Sequence, residues 1–287
     1  MYKDFRQERI DLFQETKRFC QTDKRLAEAI NRSRQQQKVI AQGEPLTVTE
    51  TSCDTPAKVI VSQKRSFAAA EAYAGKKICV LNFASATNPG GGVERGSNAQ
   101  EEALCRCSTL YPCISDRQIV NRFHHAHRSA LELGSLNALY NDDCIYTPGV
   151  IVFRSDTSRP QLLPKDRWYE VDVISCAAPN LRRQPSNAMN PGSGSKAMTI
   201  SDKDLKQLHK KRMSRILDIA GCFGAQVVIA GAFGCGAFQN PPKVVAAAMK
   251  ETVAAYRQKF LAIEFAVYCP PRDTANYDIF KQMIPIS

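Results

Sequence analysis

The chain has 287 residues, of which 44% are hydrophobic and 23% charged, and its 39 Lys and Arg against 28 Asp and Glu give a formal net charge of +11. This composition is typical of a folded globular protein and excludes disordered and fibrous classes. The apolar runs are far shorter than the roughly 20 residues of a membrane-spanning helix, and the beginning, MYKDFRQERIDLF, lacks the apolar core of a signal peptide. We therefore expect a cytoplasmic protein with no membrane partner, whose eleven Cys are buried thiols rather than a disulfide framework.

The N-terminal part of the chain is predicted to be helical. Residues 1–41 carry mixed charge, contain neither Pro nor Gly, and repeat apolar residues at loosely helical spacing. Segment 42–58 contains Gly, two Pro and several Thr, a composition that predicts a linker. We therefore divide the chain into a helical extension with its linker at 1–55 and a larger domain at 56–287.

The larger domain alternates between predicted helices and predicted strands. An Ala-rich helix at 64–74 is ended by Gly75. Short apolar runs predict strands at 78–84, 145–153, 171–178, 226–231 and 262–268, and helices are predicted at 98–112, 116–139, 201–220 and 241–260. Near-continuous apolar strands separated by helices indicate a sheet that is mostly parallel and buried on both faces. The expected fold is therefore α/β, with three α/β/α layers and an N-terminal helical extension.

The positive charge is concentrated in two stretches. Residues 1–40 contain ten Lys and Arg against six Asp and Glu, and residues 182–215 contain nine against two. Such stretches indicate either an anionic partner or a solvated surface. Nucleic acid is one candidate partner, but it is not required, because the chain has no recognisable base-reading module. Within the second stretch, the Pro, Gly and Ser content of 184–199 predicts a mobile loop.

A first glycine-rich loop follows the predicted strand at 78–84. It reads Ser85-Ala86-Thr87-Asn88-Pro89-Gly90-Gly91-Gly92. Consecutive glycines allow backbone N–H groups to approach an anion, or they form a flexible turn. The pattern Ser97-x-x-Gln100 matches a capping box, which places a helix start near residue 98. Glu101 and Glu102 then lie in the first helical turn beside the loop, where carboxylates serve either the helix dipole or catalysis.

A second glycine-rich loop follows the predicted strand at 226–231. It reads Gly231-Ala232-Phe233-Gly234-Cys235-Gly236-Ala237-Phe238-Gln239-Asn240, and Pro241-Pro242 then opens a helix. A strand, a glycine turn and a helix N-terminus together form an anion site suited to a diphosphate. The GxGxxG and GK[ST] spacings are absent, which disfavours dinucleotide oxidoreduction and phosphoryl transfer. Cys235 has no evident His partner, so the small size of the side chain explains its presence in the loop better than nucleophilic catalysis does.

These motifs resemble the macrodomain-type poly(ADP-ribose) glycohydrolases, particularly the microbial branch. The residues that carry the resemblance are Asn82-Phe83-Ala84-Ser85, Asn88-Pro89-Gly90-Gly91-Gly92, Gln100-Glu101-Glu102 and the loop GAFGCGAFQN, and the match covers roughly 55–285. The resemblance implies a macrodomain fold and hydrolysis of an ADP-ribosyl glycosidic bond. It implies neither a metal nor a cofactor.

Carried over by position, the resemblance makes Glu102 the catalytic acid/base and Glu101 the residue that holds the neighbouring ribose. The implied ligand-binding residues are Ser85, Asn88, Gly90, Gly91, Gly92 and Gln100 from the first motif, and Gly234, Cys235, Gly236, Ala237 and Phe238 from the second. Cleavage at C1 of a ribose needs a proton donor for the leaving oxygen, which a carboxyl group supplies. The charged Glu94-Arg95 pair in the spacer departs from the family pattern and leaves the identity of the leaving group open.

Other candidate sites are weaker. His124, His125 and His127 lack the spacing of zinc ligands, so no metal is expected there. Trp168 and Tyr169 either stack on adenine or anchor their loop. The expected partner is ADP-ribose, as polymer or attached to protein, bound by a monomer. The alternatives to polymer hydrolysis are a hydrolase of single ADP-ribosyl groups, such as arginine-linked ones, and a non-catalytic ADP-ribose reader.

Overall fold

Helices and strands alternate along a computed structural model that describes residues 5–47, 53–270 and 272–284. The helices are α1 Phe5–Thr22, α2 Lys24–Gln36, α3 Ser66–Ala70, α4 Gln100–Cys107, α5 Leu110–Ile114, α6 Arg117–Ile119, α7 Ala126–Glu132, α8 Asp202–Cys222, α9 Pro242–Tyr256 and α10 Ala275–Met283. The strands are β1 Lys38–Ile40, β2 Lys58–Ser62, β3 Ile78–Phe83, β4 Cys144–Val152, β5 Tyr169–Cys176, β6 Val227–Ala230 and β7 Ala262–Ala266. A π-helical segment, Val120–His125, joins α6 to α7.

The strands form one sheet of order β1-β4-β5-β3-β6-β7-β2. Strands β5, β3, β6, β7 and β2 are parallel, and β4 runs antiparallel between β5 and β1. The central strands are buried along nearly their whole length, as expected for strands covered by helices on both faces. This confirms the macrodomain-like α/β fold with its mixed, mostly parallel sheet.

The N-terminal helices pack directly on the sheet domain. Phe13 of α1 is fully buried, and the Thr16 hydroxyl donates a hydrogen bond to the Arg106 carbonyl of α4 at 2.9 Å. Helix α2 begins where the Asp23 carboxylate accepts a hydrogen bond from the Leu26 N–H. The helix predicted over 1–41 ends at residue 36, because residues 38–40 add an edge strand to β4. The division at residue 55 stays a prediction, and residues 48–52 of the predicted linker lie outside the described residues.

Other boundaries differ from the predicted ones for local reasons. The helix predicted at 98–112 is split into α4 and α5, because Ser108 forms a bridge with Val152 and its hydroxyl accepts a hydrogen bond from the Leu110 N–H. The strand β2 and the helix α10 are not predicted by the sequence pattern. Among the described residues, no helix combines the length and the hydropathy that crossing a membrane requires.

Candidate active site

A cavity of about 640 Å³ opens where several strands end. Its walls include Phe83 at the end of β3, Ala178 beyond β5 and Ala266 at the end of β7. The first turn of α4 and parts of both glycine loops also line it. Ligands of open, mostly parallel sheets bind at the carboxyl ends of the strands, so this is the position at which a site is expected.

The Glu102 carboxylate caps the N-terminus of α4. Its Oε2 accepts a hydrogen bond from the Ala99 N–H at 3.0 Å, and its Oε1 accepts one from the Gly92 N–H at 2.9 Å. The prediction that Ser97 caps this helix is therefore wrong: Ala99 is the N-cap residue, and the helix begins at Gln100. The physical reason is the hydrogen bond from the Ala99 N–H to the Glu102 carboxylate, which fixes the N-cap two residues after Ser97.

Glu101 is the most deeply buried carboxylate of the cavity wall, with 3% of its surface exposed. Its Oε2 accepts a hydrogen bond from the Ser85 N–H at 2.8 Å, and its Oε1 accepts one from Asn82 Nδ2 at 3.2 Å. Burial and the neighbouring charge of Glu102 raise the pKa of Glu101 to about 8, against the effect of these hydrogen bonds. These surroundings favour the protonated form of Glu101 relative to a carboxyl group in water.

The first glycine loop passes directly over the two carboxylates. Gly91 has φ +58°, and a Cβ at this position would lie 2.6 Å from Glu102 Oε1 and 3.2 Å from Glu101 Oε2. Only glycine fits such a close approach. Gly92 also lines the cavity, whereas Gly90 does not and lies against the ring of Tyr111.

Gln100 lines the cavity, but its side chain is used within the protein. Its Oε1 accepts a hydrogen bond from the Phe83 N–H at 2.9 Å. Its Nε2 donates to the Leu81 carbonyl at 2.8 Å and to the Ser66 hydroxyl at 3.0 Å. The side chain thereby fixes the first turn of α4 to β3, which orients the two glutamates that follow it.

Ser85 and Asn88 are tied to the segment that the sequence predicts as a mobile loop. The Ser85 hydroxyl and Asn88 Nδ2 both donate to Asn190 Oδ1 at 2.7 Å. Asn190 and Ser85 line the cavity, whereas Asn88 does not. Arg128 of α7 braces the same loop by donating to the Thr87 carbonyl at 2.7 Å. Sequence reasoning missed Asn190 and Arg128, because neither carries a local motif.

The second glycine loop is organised by one buried side chain. Asn240 is 1% exposed, and its Nδ2 donates to the Pro179 carbonyl at 2.7 Å and to the Gly234 carbonyl at 3.1 Å. Its Oδ1 accepts a hydrogen bond from His209 Nε2 at 2.9 Å. Gly234 has φ +83°, and a Cβ there would lie 2.7 Å from Asn240 Nδ2 and 2.8 Å from Ala178 Cβ. The loop conformation therefore depends on this Gly and this Asn together.

The predicted residues of the second loop face in two directions. Gly234, Gly236, Ala237 and Phe238 line the cavity. Cys235 does not line it and packs against the hydrophobic core instead, where burial raises the pKa of its thiol well above the usual value. A thiol in such surroundings is a poor nucleophile.

The aromatic residues near the cavity differ from those that the sequence singled out. Trp168 is buried against Phe19 and Phe153, and the Tyr169 hydroxyl donates to the Phe67 carbonyl at 2.7 Å. Neither residue lines the cavity, so both anchor their segment. Tyr268, 46% exposed, does line it, with the Arg65 guanidinium 3.9 Å from its ring centre.

Asp156 is a further polar wall residue that the sequence did not indicate. It is 7% exposed, and its Oδ2 accepts a hydrogen bond from the Phe67 N–H at 3.0 Å. Its Oδ1 is buried without a hydrogen-bond partner. Burial raises the pKa of this carboxyl. An unsatisfied buried acceptor in a cavity wall is suited to a hydrogen-bond donor on a ligand.

The three neighbouring histidines do not form a metal site. Over the described ranges, no group of three or more His, Cys, Asp and Glu is arranged to hold a metal ion. His124 is buried, which lowers its pKa to about 3. His127 accepts or donates within the protein, through Nδ1 to the Phe123 carbonyl and through Nε2 to Asn141 Oδ1.

Comparison with known proteins agrees with the geometry. Residues 6–155 match the family described as microbial-type PARG, catalytic domain. The poly(ADP-ribose) glycohydrolase of Thermomonospora curvata is 27% identical, with a TM-score of 0.77 over 96% of this chain and 99% of that chain. Its complex with the inhibitor ADP-HPD is 26% identical, with a TM-score of 0.73 over 96% and 98%. The poly(ADP-ribose) glycohydrolase of Deinococcus radiodurans, in complex with ADP-ribose, is 28% identical, with a TM-score of 0.70 over 88% and 96%. A search of curated protein sequences finds no match.

Proposed function

The chain belongs to the microbial-type poly(ADP-ribose) glycohydrolase family and is an ADP-ribosyl glycohydrolase, and we propose that Glu102 is its general acid and base. The observation that carries this proposal is the position of the Glu101–Glu102 pair in the wall of the large cavity, directly under the backbone of Gly91. A ligand that lies along the first glycine loop therefore reaches both carboxyl groups.

The second glycine loop binds the diphosphate of the substrate. Gly236 has open space around it, because a Cβ placed on its backbone would meet no atom within 4 Å, so a phosphate can approach that backbone. Between residues 231 and 240 there is no Asp or Glu that would repel the phosphates. Phe238 lies on the cavity wall beside this loop and contacts the adjoining sugar.

The reaction breaks the bond between C1 of the ribose and the leaving oxygen. Glu102 transfers a proton to that oxygen as the bond breaks, and positive charge develops on the ribose ring. Glu102 then accepts a proton from the water that attacks C1, which restores the starting state. Glu101, buried beside Glu102, holds a ribose hydroxyl by hydrogen bonding.

The buried glutamate pair favours an enzyme over a non-catalytic reader. A reader needs the two glycine loops but gains nothing from a second buried carboxyl group. Burial of an ionisable group opposes folding unless it is compensated, and Glu101 is buried next to a carboxylate of like charge. Such a destabilising arrangement is typical of catalytic sites.

We further propose that the enzyme works in the cytoplasm as a monomer and does not need nucleic acid. Much of the positive charge on α8 is already paired with carboxylates. Lys206 and Lys210 both contact Glu251, and Lys211 and Arg212 both contact Asp142. Paired cations release fewer counterions on binding a polyanion, which weakens any affinity of this helix for nucleic acid.

The direct test is release of ADP-ribose from a panel of substrates: the polymer and single ADP-ribosyl groups linked to Arg, to acidic residues and to Ser. Release of ADP-ribose from the polymer supports the glycohydrolase function. Release from the Arg-linked conjugate alone would identify a hydrolase of single ADP-ribosyl groups. Binding of ADP-ribose without release from any conjugate would identify a reader and refute the proposal.

A further inference from the structure

A second cavity of about 290 Å³ lies next to the active site. Its walls are formed by α1, by the segment 157–161 and by the region around the start of α4. Asn98 and Ala103 line both this cavity and the active-site cavity, so the two are separated only by the first turn of α4. The mechanism described above does not use this space.

The second cavity is positively charged. Among the residues that the structure describes, Arg9, Arg106 and Arg159 line it together with a single carboxylate, Glu8. Among the ion pairs of the described residues, none involves any of these three arginines. The cavity lining therefore carries an excess of positive charge, which is suited to an anion.

Arg106 is held rigidly by neutral groups. It is 2% exposed, and it donates to the Ser97 carbonyl at 2.7 Å and to Asn98 Oδ1 at 2.9 Å. Arg9 donates in a similar way to the Gly96 carbonyl at 2.7 Å. Burial lowers the pKa of Arg106; the neighbouring thiols and the charge of Glu102 oppose this effect, and the charge of Arg9 adds to it. An anion in the cavity would relieve the repulsion between these two guanidinium groups.

The Arg106 guanidinium and the Glu102 carboxylate are held by adjacent residues before α4. Arg106 donates to Asn98 Oδ1, and Glu102 Oε2 accepts a hydrogen bond from the N–H of the next residue, Ala99. In the polymer, the scissile bond joins C1 of one ribose to the 2′ oxygen of the adenosine in the next unit. The 5′ carbon of that adenosine carries a diphosphate. The leaving unit therefore places a diphosphate one ribose away from the oxygen that Glu102 protonates.

We propose that the cavity between α1 and segment 157–161 binds the diphosphate of the leaving ADP-ribosyl unit, through Arg9, Arg106 and Arg159. This inference rests on the proposed function and deepens it, because it selects the polymer as the substrate. An arginine-linked conjugate would instead bring a cationic leaving group toward three guanidinium groups.

Arg159 offers the cleanest test. Arg159 is exposed and lies outside the active-site cavity. Among the described side-chain contacts, its guanidinium approaches only the ring of Phe5, at 6.0 Å. Affinities for an ADP-ribose trimer and for free ADP-ribose are measured in a Glu102→Gln background, so that the trimer is not consumed. Arg159→Gln should weaken trimer binding by roughly three- to tenfold and Arg159→Glu by more, with ADP-ribose affinity unchanged. The loss should shrink at high salt, because salt screens exposed charges.

Two further variants sharpen the comparison. Arg122→Gln removes an exposed arginine that lines neither cavity, and it should change neither affinity. Glu8→Gln removes a carboxylate of the cavity lining and should tighten trimer binding by about twofold.

The outcomes separate this inference from the proposed function. An unchanged ratio of trimer to ADP-ribose affinity in both Arg159 variants would overturn the inference. Loss of inorganic pyrophosphate binding in Arg159→Gln with an unchanged ratio would also overturn it, since the cavity would then serve a free anion. If the protein with Glu102 intact released no ADP-ribose from a trimer that it bound through Arg159, the proposed function would fail and the anion site would stand.

Discussion

Replacing Glu101 by Gln removes a buried carboxyl group whose pKa is raised to about 8 by burial and by the charge of Glu102. In the unfolded chain the same group has a pKa near 4.5, so between these values the folded protein binds a proton that the unfolded chain has lost. The contribution of Glu101 to stability is therefore complete below about pH 4.5 and is lost as the pH rises through 8. The difference corresponds to at most about 5 kcal/mol, at about 1.4 kcal/mol for each pH unit.

Urea unfolding at pH 5, 7 and 9, in the presence of a thiol reductant, measures this contribution. The free energy of unfolding of the natural protein should fall relative to that of Glu101→Gln as the pH rises, by several kcal/mol in total. The buried His124 and His209 also have shifted pKa values, but both proteins contain them and their effects cancel in the difference. Glu132→Gln, which removes an exposed carboxylate, is the matched control and should follow the natural profile. Parallel profiles for the natural protein and Glu101→Gln would refute the argument that burial perturbs this carboxyl.

The second loop gives two further predictions. Gly236→Val should fold normally but lose most ADP-ribose affinity, because the added side chain enters open space in the cavity and residue 236 has no positive φ that would strain it. Gly234→Val, which would collide with Asn240 and Ala178, should instead lower the thermal unfolding temperature. Normal ADP-ribose binding by Gly236→Val would show that the loop is structural only. Asn240→Ala should lower the free energy of unfolding by about 2–3 kcal/mol and weaken ADP-ribose binding, since it leaves the buried Pro179 carbonyl without this donor and the buried His209 Nε2 without its acceptor. Urea unfolding and calorimetric titration measure both effects, and an unchanged affinity would show that the loop keeps its shape without Asn240.

The parts of the site that the sequence predicts are those built from one continuous segment. A strand followed by glycines and then by a helix start constrains the backbone locally, so Gly91, Glu101 and Glu102 could be placed together before any tertiary contact was known. The same applies to the second loop, where strand β6, the glycines and the start of α9 follow one another directly.

The residues that the sequence missed are brought to the cavity by contacts between distant segments. Asn190 meets Ser85 across 105 positions, and Asp156 meets Phe67 across 89. Neither residue lies in a motif, so only the fold reveals its position. The error at Ser97 has a different origin: a capping pattern identifies residues that can cap a helix, but the hydrogen bond from the Ala99 N–H to the Glu102 carboxylate makes Ala99 the N-cap residue.

Edge strands were missed for a related reason. Strand β1 has three residues and β2 has five, and both are held by pairing with β4 and β7 rather than by a strong pattern of their own. Short strands of this kind depend on tertiary contacts more than on the propensity of their residues. The central strands β3, β5 and β6 were predicted within two residues at their starts, because continuous burial leaves a clear apolar run.

Single-turnover release of ADP-ribose from a labelled polymer by Glu102→Gln tests the central claim most directly. Gln keeps the size of the side chain and its ability to accept a hydrogen bond from the Gly92 or Ala99 N–H, so the variant should fold and bind ADP-ribose. It cannot carry the transferred proton, and the rate of release should fall by roughly two to four orders of magnitude. A rate close to that of the natural protein would show that the proton comes from another group and would contradict the assignment of Glu102.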